Sequence, residues 1–378
     1  MTCLLAGLAG ALAGACGGGT ASPTSQCGYL PCDSGTGVAP PPPDRTNGGY
    51  VVDGGPALIG FDPKSVQKSA GCGKPLPAMQ VATVPGTANG YTHNSVMLTG
   101  TTLTGTDPTR ATLRTFWVRV PVNYDPNRAY RLVYVTAGCG GYEVANTTTF
   151  QLFKESLGGT EQAVYVALDI PRDMQNQDCF DTRAGLGSEE WEAFAAIQSA
   201  VESTYCVDDN SIFIDSYGDD GVSLANMWGC YFAGNPANQR IIAPARHIRG
   251  QSSVSGGDPP NLPACGGPVA ALWIHDLQDD NDYDRDVHAL DRVLAGNGCQ
   301  GDHTNSPTAP WPSMPDICLQ YTSCPADTPV VFCTTMGQGH ADQHDRAISA
   351  FTAFDDIVSP TTSSPHGDAG ANDGGTSD

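Results

Sequence analysis

The chain has 378 residues, of which 40 are acidic and 18 basic, for a formal net charge of −22. So acidic a surface opposes nucleic acid and anionic membrane surfaces as partners and favours solubility. Hydrophobic residues make up 40%, enough for a core, and the length allows one large domain or two small ones.

The N-terminus reads as an export signal. Leu4 to Ala13 is an apolar run too short to span a bilayer, and it ends in the small residues Ala13-Gly14-Ala15-Cys16. This resembles a bacterial lipoprotein signal, in which Cys16 carries a lipid anchor after cleavage. Two features depart from that pattern: no basic residues precede the run, and Ala13 replaces a larger aliphatic residue. Ordinary secretion, with Cys16 in a linker, is the alternative. The expected organisation is a signal over 1–16, a disordered Gly/Pro/Ser-rich linker over 17–70, one ordered domain over 71–358 and a disordered tail over 359–378. The expected location is secreted, or the outer surface of a bacterium as a lipoprotein.

Cysteine usage agrees with export. Without Cys3 and Cys16, 12 of the 14 cysteines remain, scattered rather than paired as CxxC. Disulfides in an oxidising compartment explain them better than zinc does. Cys27/Cys32 and Cys318/Cys324 are close enough for local loops; the other pairings are not legible.

Along the chain, Thr115 to Val120 alternates faces like a half-buried strand. Arg131 to Thr136 and Ala163 to Leu168 are continuously apolar, as strands covered on both sides are. A helix follows, with Ser188 as N-cap, Glu189 and Glu190 in its first turn, and Trp191, Phe194, Ile197, Val201 and Tyr205 on one face. Ile212 to Asp215 is a strand that runs through Ser216-Tyr217-Gly218-Asp219-Asp220-Gly221 into a helical stretch from Val222 to Cys230. Further strands are expected at 241–243, 271–274 and 330–333, and a last helix over about 343–356. Strands alternating with helices predict an α/β fold, a mainly parallel central sheet with helices on both faces. Chemistry in such sheets gathers at the carboxyl ends of the strands.

Four loops lie at those ends. The turn at 216–221 has the strand–turn–helix setting of a Gly-x-Ser-x-Gly nucleophile elbow, with Gly218 where the serine belongs. Ala137-Gly138-Cys139-Gly140-Gly141 is a glycine-rich turn able to aim backbone N–H groups into a cleft. After residue 274, His275 to Asp282 supplies an aspartate able to orient an imidazole. The acidic run Asp279 to Asp286 lacks the glycine and terminal glutamate of an EF-hand, so a solvated loop is expected there rather than calcium. Thr334 to His340 carries a histidine where a general base follows nucleophile and acid in the chain. His340 and His344 are spaced for a metal only on a shared helix, and the glycines before His340 oppose a helix there. No metal and no cofactor are expected.

Together these segments resemble the secreted α/β-hydrolase family of feruloyl esterases and polyhydroxybutyrate depolymerases. The resemblance runs from Ser69-Ala70-Gly71-Cys72-Gly73-Lys74-Pro75 through Tyr130 to Tyr134, Gly138 to Gly141, Tyr205-Cys206-Val207-Asp208, Leu224-Ala225-Asn226, Gly229-Cys230, Leu290-Asp291-Arg292, Asn297-Gly298-Cys299 and Gly337 to His340. It implies the α/β-hydrolase fold and a carboxylic ester hydrolase with Asp279 as triad acid and His340 as base. It further implies Cys139 or Gly140 and Asp219 as oxyanion donors, and small-molecule or polymeric esters as substrates of a monomer.

Three departures stand out. Gly218 replaces the serine; Ser216, Asp219 and Asp220 replace small elbow residues; Ala137 stands where a histidine often precedes the glycine-rich turn. Glycine has no group to attack a carbonyl, so the acyl-enzyme route closes at position 218. Ser216 and Asp219 are the alternative nucleophiles. An ionised Asp219 would also repel the charge an oxyanion hole stabilises. The expectation is a hydrolase fold with impaired activity, a pseudoenzyme in the extreme case. The alternative is a non-catalytic surface protein that keeps the cleft to bind a ligand.

Overall fold

The computed structural model describes residues 65–77, 92–98, 113–121, 124–136, 138, 163–169, 180, 188–231, 248–257, 265, 268–279, 283–340 and 344–359. Among them run the strands β1 (Thr92–Met97), β2 (Leu113–Arg119), β3 (Tyr130–Thr136) and β4 (Ala163–Leu168). Helix α1 (Ser188–Thr204), strand β5 (Val207–Tyr217), helix α2 (Gly218–Asn226), and strands β6 (Gly250–Val254) and β7 (Ala270–Asp276) follow. Helix α3 (Tyr283–Gly296), strands β8 (Thr308–Pro310), β9 (Cys318–Tyr321) and β10 (Val330–Thr335), and helix α4 (His344–Val358) complete the order.

The strands form one sheet in the order β1-β2-β4-β3-β5-β6-β7-β10-β9-β8. From β4 to β10 every neighbouring pair is parallel, so the carboxyl ends of β3, β5, β6, β7 and β10 share one rim. β2 runs antiparallel to β4, and β9 antiparallel to β10. A crossed β3/β4 order, an antiparallel second strand and a strand-to-helix turn after β5 define the α/β-hydrolase fold.

Alternate side chains of the central strands feed two cores, as the two-residue period of a strand requires. Leu132 and Tyr134 of β3, with Ile212 and Ile214 of β5 and Trp273 of β7, meet Phe194, Ile197 and Val201 of α1, Leu224 of α2 and Leu290 of α3. Tyr134, Phe194 and Trp228 pack as an aromatic cluster, with ring centroids 4.2 to 6.1 Å apart. On the opposite face Val133, Val135, Phe213, Leu272 and Ile274 meet Ala347, Phe351 and Phe354 of α4. Helices thus cover both faces.

Several sequence expectations shift. The long β5 begins at Val207 rather than near Ile212. The helical stretch expected to start at Val222 begins at Gly218 and ends in a wider turn over Met227–Tyr231. β6 carries Gly250-Gln251-Ser252-Ser253-Val254, too polar to signal a buried strand; the strand expected at 241–243 lies outside the described residues, as do the side chains of the Ser188 and Glu189 cap.

Residues before 71 already bond to the chain at the start of β5. The Gln67 N–H donates to Asp208 Oδ1, the Ser69 N–H donates to the Val207 carbonyl, and Ser69 Oγ donates to the Tyr205 carbonyl. The Cys72–Cys206 disulfide clamps this segment to the start of β5. Cys230–Cys265, Cys299–Cys324 and Cys318–Cys333 are the other described bridges. The expected Cys318/Cys324 loop is therefore corrected. Cys318 lies directly opposite Cys333 in the β9/β10 ladder, which sets its partner, and Cys324 closes on the end of α3 instead. Cys16, Cys27 and Cys32 lie outside the described residues.

Candidate active site

Six parallel strands end on the same rim, and the loops after them carry the groups that matter. β5 passes from the extended Tyr217 (φ −136°, ψ 141°) straight into α2 at Gly218, whose φ is +72°. That left-handed conformation is open to glycine and strained for other residues. It is also the sharp strand-to-helix turn that an elbow requires. Two further glycines crowd it. A Cβ on Gly138, after β3, would come within 3.2 Å of Gly218 Cα, and one on Gly256, after β6, within 2.6 Å of the Gly218 carbonyl. Just before Gly256, the buried Ser255 holds φ at +52°, a second sign that backbone is tightly constrained here.

Gly138 itself therefore lies against the elbow, where an oxyanion donor would be needed. Cys139, Gly140 and Ala137 lie outside the described residues, and so does the side chain of Asp219. The N-terminus of α2 opens at Gly218, placing backbone N–H groups and the positive end of the helix dipole at the turn.

Ser216 is buried within the sheet. Its Oγ lies 2.8 Å from Ser253 Oγ and donates to the Ser252 carbonyl at 3.2 Å, and the residue is 2% exposed. Its hydroxyl is engaged between neighbouring strands rather than presented at the rim, which weighs against the alternative nucleophile.

Asp279 and His340 come together. His340 Nδ1 lies 3.0 Å from Asp279 Oδ2; the carboxylate is shut off from solvent, whereas the imidazole is 34% exposed. With Nδ1 donating to the carboxylate, Nε2 is the basic nitrogen of that tautomer. The ring also packs near Tyr217, centroid to centroid 6.1 Å. His340 thus stands beside the residue that immediately precedes Gly218.

The loop presenting His340 bends through Gly337 (φ +85°) and Gly339 (φ +62°) and is anchored by a residue the sequence reading left without a role. Buried Asp276, the last residue of β7, accepts hydrogen bonds from the Gln338 N–H, the Gln278 N–H and Thr335 Oγ1. Burial alone would raise its carboxyl; those bonds, with one from the Gly339 N–H, hold it at about 2 instead. The available signal was an acidic residue closing an otherwise apolar strand.

The acidic run at 279–286 is not wholly a solvated loop. Asp279 and Asp286 are both buried and both face His275. Among the described residues no group of three or more histidine, cysteine or acidic side chains is arranged to hold a metal ion; the side chain of His344 lies outside them.

No family model matches the chain. Curated relatives do. It is 26% identical over 188 residues to a probable feruloyl esterase C of Aspergillus niger, an alignment covering 50% of this chain and 63% of that protein's length. To a probable feruloyl esterase C of Aspergillus clavatus it is 26% identical over 290 residues, covering 75% of this chain and 88% of the other. Among solved structures, a ferulic acid esterase from Anaeromyces mucronatus in complex with ferulic acid shares 13% identity and a TM-score of 0.41, over 78% of this chain and 99% of that one. The strand order given above, not this last likeness, defines the fold.

Proposed function

The chain is feruloyl esterase-like in sequence and an α/β-hydrolase in fold, and from that premise we propose a secreted protein with an ester-binding cleft whose hydrolytic chemistry is impaired. Its ligands are carboxylic esters, aryl or polymeric, of the kind its relatives' names indicate. The observation that carries this reading is Gly218 at the elbow, left-handed and in contact with Gly138, while Asp279 and His340 keep their hydrogen bond.

An esterase of this fold works by serine attack, with the histidine taking the proton and backbone N–H groups holding the developing oxyanion. Here the proton acceptor and its orienting carboxylate remain, and the helix N-terminus remains, but position 218 offers no oxygen. Without an acyl-enzyme the hydrolysis is not divided into two easier steps. The four described disulfides fit an oxidising, extracellular compartment.

A second reading, a non-catalytic surface protein that only binds, is favoured by the same glycine and by the engagement of Ser216 within the sheet. The test is binding and turnover side by side. Calorimetry with ferulate and methyl ferulate should give saturable binding, while release of ferulate from methyl ferulate should stay near the buffer rate. Asp219→Asn should leave that low rate unchanged. Fast native turnover abolished by Asp219→Asn would instead make the carboxylate the nucleophile, and absence of binding would remove the cleft from both readings.

A further inference from the structure

Behind Asp279 lies a second imidazole with no part in a nucleophile–base–acid scheme. His275, next to last in β7, is fully buried. Its Nδ1 is 2.5 Å from Asp286 Oδ2 on α3. Its Nε2 is 3.4 Å from Asp279 Oδ2, the same oxygen that lies 3.0 Å from His340 Nδ1. One carboxylate oxygen is therefore hydrogen-bonded to the outer imidazole and within ion-pair distance of the inner one, and the inner ring is backed by another buried carboxylate.

Neutral imidazole offers one N–H and one lone pair, whereas the imidazolium offers two N–H donors. At His275 one ring nitrogen is hydrogen-bonded to a carboxylate and the other lies within ion-pair distance of a second. The neutral ring would bring one N–H and no charge to two carboxylates in a site closed to water, an arrangement that low dielectric makes costly. Two buried carboxylates flanking it also need a compensating cation. On the outer side, His340 is the titratable group that faces the same Asp279 oxygen.

We propose that His275 is a positioning residue, an imidazolium held between Asp286 and Asp279 that fixes the Asp279 carboxylate for His340 and offsets its buried charge. It acts through Asp279 and touches no reacting atom. Its positive charge lowers the affinity of His340 for a proton below what Asp279 alone would give, so the outer ring stays a neutral base nearer to neutral pH. The inference rests on Asp279 and His340 being an acid–base pair, but it concerns charge states and needs no turnover. Failure of ester hydrolysis and failure of this inference are therefore separate results.

The experiment is long-range nitrogen–proton NMR of the full chain with labelled histidine rings, titrated from about pH 5 to 9, the range where ordinary histidines change charge. The His275 ring, assigned by its loss in His275→Gln, should keep both nitrogens protonated throughout, while His340 titrates. In His275→Gln the His340 midpoint should rise by about one pH unit, the usual effect of losing a nearby like charge. Asp286→Asn should bring His275 into the titrating range, and Asp286→Glu should return it. A native His275 ring with one unprotonated nitrogen at neutral pH overturns the proposal, as does an unmoved His340 midpoint in a folded His275→Gln chain. If neither substituted chain folds, the native spectrum alone decides.

Discussion

Gly218 and Gly138 meet backbone to backbone, so that a Cβ added to Gly218 would lie 3.1 Å from Gly138 Cα while φ stays at +72°. The turn has the strand-to-helix shape of an elbow with a glycine at its tip. Glycine holds that conformation without the strain a serine would carry there. Gly218→Ser should therefore cost stability, by about 1–2 kcal/mol from the left-handed conformation, measured by urea unfolding of the disulfide-intact chain. A gain in stability would mean that the turn is not held as described.

Asp276 fixes the loop that presents His340. Asp276→Asn removes a charged acceptor shared by Thr335, Gln338 and Gln278, at an expected cost of about 1–3 kcal/mol. The local signature is faster hydrogen exchange at the Gln338 amide. Unchanged exchange there would assign the anchoring to other contacts.

One pair of buried carboxyls should contribute less to stability as the pH rises from acid to neutral. Asp355 of α4 and Asp215 of β5 are both buried. Burial, opposed by Arg131 and reinforced by Asp356, pushes Asp355 up to about 7; burial and the neighbouring Asp355 also raise Asp215. Arg119 and Tyr165 face the same cluster. Because the native carboxyls are raised above the unfolded value of 3.8, the native state binds more protons in that window. The contribution of Asp355 is fully present below 3.8 and is lost as pH climbs through about 7; that of Asp215 has the same sign. Asp355→Asn should flatten this part of the unfolding free energy measured against pH; a slope unchanged by the substitution would place its origin elsewhere.

The Cys72–Cys206 bridge spans 134 residues of sequence and ties the start of the domain to β5. Replacing both cysteines by alanine should lower stability by about 2–5 kcal/mol, seen as a lower Tm with the other bridges intact by mass mapping. A Tm unchanged by that double substitution would show that the hydrogen bonds of Ser69 and Gly71 suffice to hold the segment.

The sheet was readable because β3, β4, β7 and β10 are nearly pure runs of aliphatic and aromatic residues, and Phe194, Ile197 and Val201 repeat at helical spacing. β6 was not, since Ser252 and Ser253 are buried by neighbouring strands rather than by their own hydrophobicity. Placement after strands said only that an aspartate of the loop after β7 and the histidine of the loop after β10 end on one rim; that the aspartate is Asp279 was what the family resemblance implied. The roles of Asp276, His275 and Asp286 were hidden in what reads as an acidic loop, because composition cannot say which carboxylates point inward. The Cys318–Cys333 pair likewise depends on strand register, which cysteine spacing does not encode.

Pre-steady-state hydrolysis of p-nitrophenyl acetate, followed by peptide mapping around position 218, compares the native chain with Gly218→Ser. The native chain should give no burst and no acylated peptide. Gly218→Ser should give a burst of up to one equivalent that His340→Ala suppresses, with the acyl group on the peptide that carries the substitution. A stoichiometric burst from the native chain, or an acyl group mapped to Ser216, would contradict the assignment of Gly218 as the lost nucleophile position.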